Sequence, residues 1–112
     1  MNPLDQRIAI AESVGWTVYH RNDKGEIKSW KSPDGSIWQE PWTPLRFTED
    51  LNAMHEVEKT LTLDQRHIYY QRLWHICDKA HRMASVGECL VPTATAAQRA
   101  EAYLRTIGKW KD

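Results

Sequence analysis

The sequence predicts an α+β fold, a small and mainly antiparallel sheet of three to four strands with helices on both faces, which is an α-β-α sandwich. Three observations predict it. Helical periodicity with capping signals recurs in four segments, short β-branched and aromatic runs lie between turn signals, and helical patterns stand near both ends of the chain. A chain of 112 residues suits one domain, which we expect to span residues 1–112.

The first element is a helix over residues 3–14. Asn2 is suited to cap it, Pro3 suits the first helical position, and Gly15 is suited to end it. Residues 16–20 are β-branched and aromatic, so they predict a strand.

A hairpin is predicted next. Residues 26–31 and 36–39 flank the segment 32–35, in which proline presets one backbone angle and glycine accepts a positive φ. In this hairpin Trp30 and Trp38 would lie close together across the two strands.

The rest of the chain is organised around a helix predicted for residues 48–61. Thr48 is suited to cap it, and Glu49 and Asp50 place carboxylates in the first turn, where the helix dipole favours them. Apolar residues at helical spacing predict that one face packs on a core. These residues are Leu51, Met54, Val57 and Leu61.

Two further helices have capping boxes. Thr62 and Gln65 begin one that we expect to end near residues 85–87, and Thr95 and Gln98 begin one over residues 96–107, with Gly108 at its C-terminal stop. The first has an apolar face of Tyr69, Leu73, Ile76, Ala80 and Met83, and the second one of Ala96, Ala100, Tyr103, Leu104 and Ile107. Residues 88–91 predict one more strand, and Trp110 is expected to pack on the core.

The charge balance and composition limit the classes of function that the chain can have. Fifteen basic and fifteen acidic residues cancel, so no overall field attracts a polyanion. Residues 1–60 carry a net charge of about −3 and residues 61–112 about +3. Two cysteines, no apolar leader and no membrane-length apolar segment lead us to expect a soluble cytoplasmic protein with free thiols and no membrane partner.

Three segments together resemble the phage ABA sandwich domain family. They are the residues from Trp30 to Trp38 around Pro33-Asp34-Gly35, the residues from Phe47 to Lys59 with the helix start Thr48-Glu49-Asp50-Leu51, and the alanine-rich segment 93–104. The resemblance covers most of the chain, residues 62–84 least. It implies a helix–sheet–helix sandwich of phage or prophage origin, but it implies no activity and no site residues.

No catalytic constellation is found, so we expect no enzyme and no cofactor. His55-Glu56 begins a zinc-protease motif, but Lys59 stands where the second histidine is required. Cys77 and His81 share a helix face, and with Cys89 they are weak candidates for zinc. Packing of a buried cysteine on the helix face is the favoured explanation of Cys77.

Two groups of residues are candidates for binding. The first combines aromatic rings with a cation: Trp30, Trp38, Trp42 and Arg46. The second is a basic flank of the 63–84 helix, formed by Arg72, His75, Lys79 and Arg82, with Tyr70 and Trp74 on the other flank. Core packing and a solvated helix face are the alternatives.

The sequence therefore predicts a non-enzymatic phage accessory protein that acts by binding in the host cytoplasm. The expected target is a host or defence-system protein, which it would inhibit. A nucleotide signal held between aromatic rings is the alternative ligand, and a nucleic acid held by the basic flank ranks below both because the net charge is zero. We also expect self-association, because a tryptophan-rich hairpin exposes apolar surface.

Overall fold

A computed structural model describes residues 1–40, 43–84 and 94–111 of the chain, without the side chains of residues 79–84. These residues form four helices and three strands. In chain order they are α1 (Pro3–Ser13), β1 (Thr17–Arg21), β2 (Ile27–Lys31), β3 (Ile37–Gln39), α2 (Leu51–Glu58), α3 (Leu63–Ala84) and α4 (Ala96–Thr106). The α+β class is confirmed, while the strand predicted for residues 88–91 lies outside the described residues.

The three strands form an antiparallel sheet in the order β1-β2-β3. Trp30 pairs directly with Trp38, as the predicted hairpin requires. The turn is held by the Ser32 amide, which donates to the Ser36 carbonyl at 2.8 Å, and by the Asp34 carboxylate, which accepts from the Ser32 hydroxyl and the Ser36 amide. These hydrogen bonds lower the pKa of the Asp34 carboxyl from its ordinary value.

The sheet joins the core through its middle strand. The indole of Trp30 is fully buried, and its Nε1 donates to the Glu40 carboxylate at 2.9 Å. Arg7 of α1 also pairs with Glu40 and donates to the Leu45 carbonyl at 2.9 Å. These contacts hold α1 against the sheet and against the segment after β3 that contains Glu40 and Leu45. The side chains of β3, in contrast, are all exposed.

Helix α4 is the centre of the helical part of the fold, because α1, α2 and α3 each contact it. Its capping box is present as predicted, with the Thr95 hydroxyl accepting from the Gln98 amide at 3.1 Å. The predicted apolar face is confirmed: Ala96, Ala100, Tyr103 and Leu104 are buried, and Ile107 and Trp110 pack partly buried against the core. Gly108 follows the helix with φ 76°, the left-handed conformation that suits glycine.

Helix α2 is shorter than predicted and has a different cap. The Asp50 carboxylate, rather than Thr48, caps it by accepting from the Asn52 amide at 2.9 Å. The predicted cap is wrong because the Asp50 amide donates back to the Arg46 carbonyl at 2.8 Å, so a turn occupies the residues before Leu51. Leu51 was also predicted to face the core, but it is 43% exposed. Only the remaining apolar residues, Met54, Val57 and Leu61, are buried.

Helix α3 begins with the predicted capping box, in which Thr62 and Gln65 exchange hydrogen bonds of 3.0 and 3.1 Å. Tyr69 and Leu73 are fully buried against the other helices, and Ile76 is partly buried. The side chains of Ala80 and Met83, the remaining members of the predicted face, lie outside the described part of the chain. None of the helices in that part is both long and apolar enough to cross a membrane.

Candidate functional site

A cleft of about 450 Å³ opens between the end of α1, the start of β1 and helix α2. Its floor belongs to the core, since Leu45, Phe47 and Val57 are buried. Its walls are the partly exposed side chains of the residues around it. The described residues that line it are Val14, Trp16, Pro44, Leu45, Phe47, Asp50, Asn52, Ala53, Glu56 and Val57. We call this the α2 cleft.

One wall of the α2 cleft contains Val14 and Trp16, and Gly15 between them closely approaches the hairpin. Gly15 ends α1 with φ 97°, and a Cβ at this position would lie 3.1 Å from the Pro33 ring. Glycine is therefore favoured by both conformation and space. The Trp16 amide then donates to the Ala11 carbonyl at 2.9 Å, which fixes the start of β1 beside the cleft.

An exposed tryptophan borders this wall. The rings of Trp16 and Trp38 have centroids 6.0 Å apart and planes inclined by 59°, an arrangement that favours aromatic contact. Trp38 is 41% exposed. Since Trp16 lines the cleft, the apolar surface continues from the cleft onto the hairpin.

The polar rim of the cleft is acidic. Asp50 and Glu56 supply two carboxylates and Asn52 an amide, while none of the described residues that line the cleft is cationic. Asp50 uses one carboxylate oxygen to cap α2, and Glu56 pairs with Lys59 at 2.9 Å in an exposed ion pair. Such exposed pairs are weak, so both carboxylates remain available to a cationic partner.

The aromatic group predicted from the sequence is divided by the structure. Trp30 is buried in the core and is therefore inaccessible to a binding partner. Trp38 lies at the surface beside the α2 cleft. Arg46 is exposed and lines a separate polar groove with Arg7 and Glu40. Trp42 lies outside the described residues.

The second predicted group lies on α3. Tyr70, Trp74 and His75 line a shallow surface groove together with His67 and Gln71, and we call this the α3 groove. Tyr70 and Trp74 lie one helical turn apart and are 47% and 51% exposed. Arg72 is exposed but does not line the groove. For Lys79 and Arg82 the structure describes the helical backbone and not the side chains.

A buried polar cluster connects α2, α3 and α4. The guanidinium of Arg99 pairs with the Glu58 carboxylate at 3.1 Å, and the His55 ring lies 3.7 Å from the same carboxylate. The Tyr69 hydroxyl lies in this region, buried and without a hydrogen bond of normal geometry to any described residue. Burial, and then the charge of Glu58, raise the pKa of the Tyr69 hydroxyl. This hydroxyl is therefore neutral at physiological pH.

Sequence reasoning missed this cluster, although one signal was present. Arg99 stands three residues after Ala96 and four before Tyr103, on the side of α4 that faces the core. A cation on an apolar helix face requires a buried carboxylate nearby. Glu58 is that carboxylate, but nothing in the sequence pairs two residues so far apart.

The metal candidates are only partly within the described residues. Cys77 is buried, and its thiol is 3.8 Å from the Gln98 side-chain oxygen. The side chain of His81 and the whole of Cys89 lie outside the part of the chain that the structure describes. Within the described part of the chain, no group of three or more histidine, cysteine or carboxylate side chains is placed to hold a metal ion.

Comparison with known proteins leaves the α2 cleft to be interpreted from its own geometry. No protein-family model matches the chain, and no solved structure is significantly similar to it.

Proposed function

We propose that the protein acts by binding another protein, and that the α2 cleft accepts an apolar side chain of that partner. The observation that carries the proposal is an apolar cleft of about 450 Å³ with two carboxylates at its rim and an exposed tryptophan beside it. Its volume is in the range of specific binding sites in proteins. The partner segment is therefore an aromatic or large aliphatic residue with basic neighbours.

A partner side chain buried in this cleft would act as a hot spot of the interface. Burying one large apolar side chain contributes about 1.5–3 kcal/mol, and hot spots of this kind carry much of the affinity of an interface. The rim carboxylates of Asp50 and Glu56 add steering and selectivity for a basic segment, while they disfavour an acidic one.

The resemblance described above supports a phage or prophage origin, and we propose the biological role by analogy with phage proteins that act by occupying a host surface. The protein is a phage or prophage accessory protein, and the partner is a host defence protein in the bacterial cytoplasm that it inhibits by occupying a surface. An inhibitor of this kind needs no catalytic residues, because it only has to bind more tightly than the natural ligand does.

The proposal is tested by titrating isotopically labelled protein with short peptides. Acetyl-Arg-Trp-Arg-amide is the probe and acetyl-Glu-Trp-Glu-amide is its matched control, since the two differ only in charge. We expect the basic peptide to shift the backbone resonances of Phe47, Ala53 and Val57 in a saturable way. The acidic peptide should bind at least about tenfold more weakly, because like charges meet at the rim.

Two controls make the result specific. Ala53→Arg places a long side chain inside the cleft and should abolish the shifts, provided that circular dichroism shows an unchanged fold. Asp23→Lys makes a charge change in the exposed β1–β2 turn, at a residue that does not line the cleft, and should leave binding unchanged. Equal binding of both peptides, or shifts outside the cleft, would refute the proposal. Saturable shifts of the cleft residues with AMP or GMP, and none with the peptides, would favour the nucleotide alternative.

A further inference from the structure

The α3 groove has the chemistry that the α2 cleft selects. It exposes two aromatic rings, those of Tyr70 and Trp74, on one face of a helix. The other described side chains that line it are two histidines and a glutamine, and none of these carries a carboxylate. Arg66 lies one turn before Tyr70 and is exposed. The groove thus combines an exposed indole with lining groups that are neutral or cationic, and the carboxylate one turn after Trp74, that of Asp78, is partly buried.

The two surfaces are complementary in charge. The α2 cleft has an acidic rim, and it lies in the half of the chain that carries a net charge of about −3. The α3 groove lies in the half that carries about +3. The two surfaces share no residue, so one copy of the chain can present both at once.

From these observations we infer that a second copy of this chain occupies the α2 cleft and inserts Trp74 of its α3 helix. This inference rests on the function proposed above and names the first partner of the same cleft. The indole of Trp74 is 51% exposed, and a cleft of about 450 Å³ has room for it. Arg66 of the inserted helix then faces the carboxylates of Asp50 and Glu56.

Another self-associated arrangement is disfavoured by charge. Trp38 of each copy could enter the cleft of the other, because Trp38 borders the cleft through Trp16. That arrangement brings two acidic rims together, and like charges across an interface are repulsive. The contact between cleft and α3 groove pairs unlike surfaces instead. If it is made twice about a two-fold axis, the product is a closed dimer; if it is made once, the copies form an open chain.

The test is analytical ultracentrifugation of the untagged protein over a concentration series. We expect reversible association in the wild type. Trp74→Ala and Ala53→Arg should each weaken it by at least about tenfold, as loss of an aromatic hot spot does. Glu56→Lys should weaken the association as well. The Glu56 side chain is 73% exposed, so we expect this change to leave the fold intact. The matched controls are Tyr19→Ala, which removes another exposed aromatic ring, and Asp23→Lys, which makes the same charge change elsewhere.

Mixing the two defective variants gives the decisive result. Trp74→Ala keeps an intact cleft and Ala53→Arg keeps the indole, so the mixture should associate although neither variant does alone. A wild type that stays monomeric at every concentration, or association that survives both changes, would overturn the inference. If acetyl-Arg-Trp-Arg-amide still binds to the cleft of such a monomer, the proposed function stands although the inference of self-association fails. If the peptide also fails to bind, both are refuted.

Discussion

The Arg99 guanidinium on α4 lies 3.1 Å from the Glu58 carboxylate at the end of α2, and these side chains are only 6% and 12% exposed. Arg99 also donates through its Nε to the Ala94 carbonyl at 3.3 Å. A single cation therefore connects the helix at the centre of the fold to the helix that lines the α2 cleft. Because the pair is nearly buried, removal of the Arg99 guanidinium would deprive an interior carboxylate of a close cation.

Replacing one member of this pair should destabilise the protein strongly. We expect Arg99→Met to lower the free energy of unfolding by about 3–5 kcal/mol, because it leaves the Glu58 carboxylate buried without its cation. The double variant with Glu58→Met should be more stable than Arg99→Met alone, since no charge is then stranded. Urea unfolding of the single and double variants measures both effects. Additive losses in the double variant would show that the two charges do not interact.

The buried tyrosines offer a matched pair of changes. The Tyr69 hydroxyl has no hydrogen bond of normal geometry within the described residues, whereas the Tyr103 hydroxyl lies 2.9 Å from the Ser13 hydroxyl. We expect Tyr69→Phe to leave stability unchanged or raise it by up to about 1 kcal/mol, and Tyr103→Phe to lower it by about 0.5–1.5 kcal/mol. Thermal or urea unfolding measures both. The reverse order would mean that Tyr69 has a strong partner.

Tyr69 should also make the protein sensitive to alkali. Its pKa is raised in the folded state from a value of 10.0, so above pH 10 the unfolded chain binds fewer protons than the folded one. The contribution of this raised pKa to the free energy of unfolding is therefore fully present below pH 10. It is lost as the pH rises above 10, by up to about 1.4 kcal/mol per pH unit. We expect stability measured between pH 9 and 11 to fall less steeply in Tyr69→Phe. Parallel curves would contradict the raised pKa.

The sequence correctly predicts those elements of the fold whose signals are local. The capping boxes at Thr62 and Thr95 and the turn around Asp34 each depend on groups within four residues, and all three are present. Local signals failed where a neighbouring segment competes. Thr48 and Asp50 are both good caps, and only the turn back to the Arg46 carbonyl decides between them.

The candidate site could not be predicted in the same way, because its parts are distant in sequence. Trp16, Phe47 and Ala53 meet only when α1, the 43–50 segment and α2 have packed. Strand alternation also could not tell which tryptophan of the hairpin is exposed. Trp30 and Trp38 are direct partners on one face of the sheet, and they differ because Trp30 is in the central strand and Trp38 in a short edge strand.

The last prediction concerns nucleic acid, the ligand of the basic flank. At physiological salt we expect no binding of single- or double-stranded DNA or RNA, because the net charge is zero and nucleic-acid affinity depends on neutralised phosphates. Changing Arg72, Lys79 and Arg82 together to alanine should therefore alter nothing in a fluorescence-anisotropy titration. Micromolar binding that weakens with salt, and whose log–log slope drops by about 1 for each lost cation, would instead identify this flank as a phosphate-binding surface.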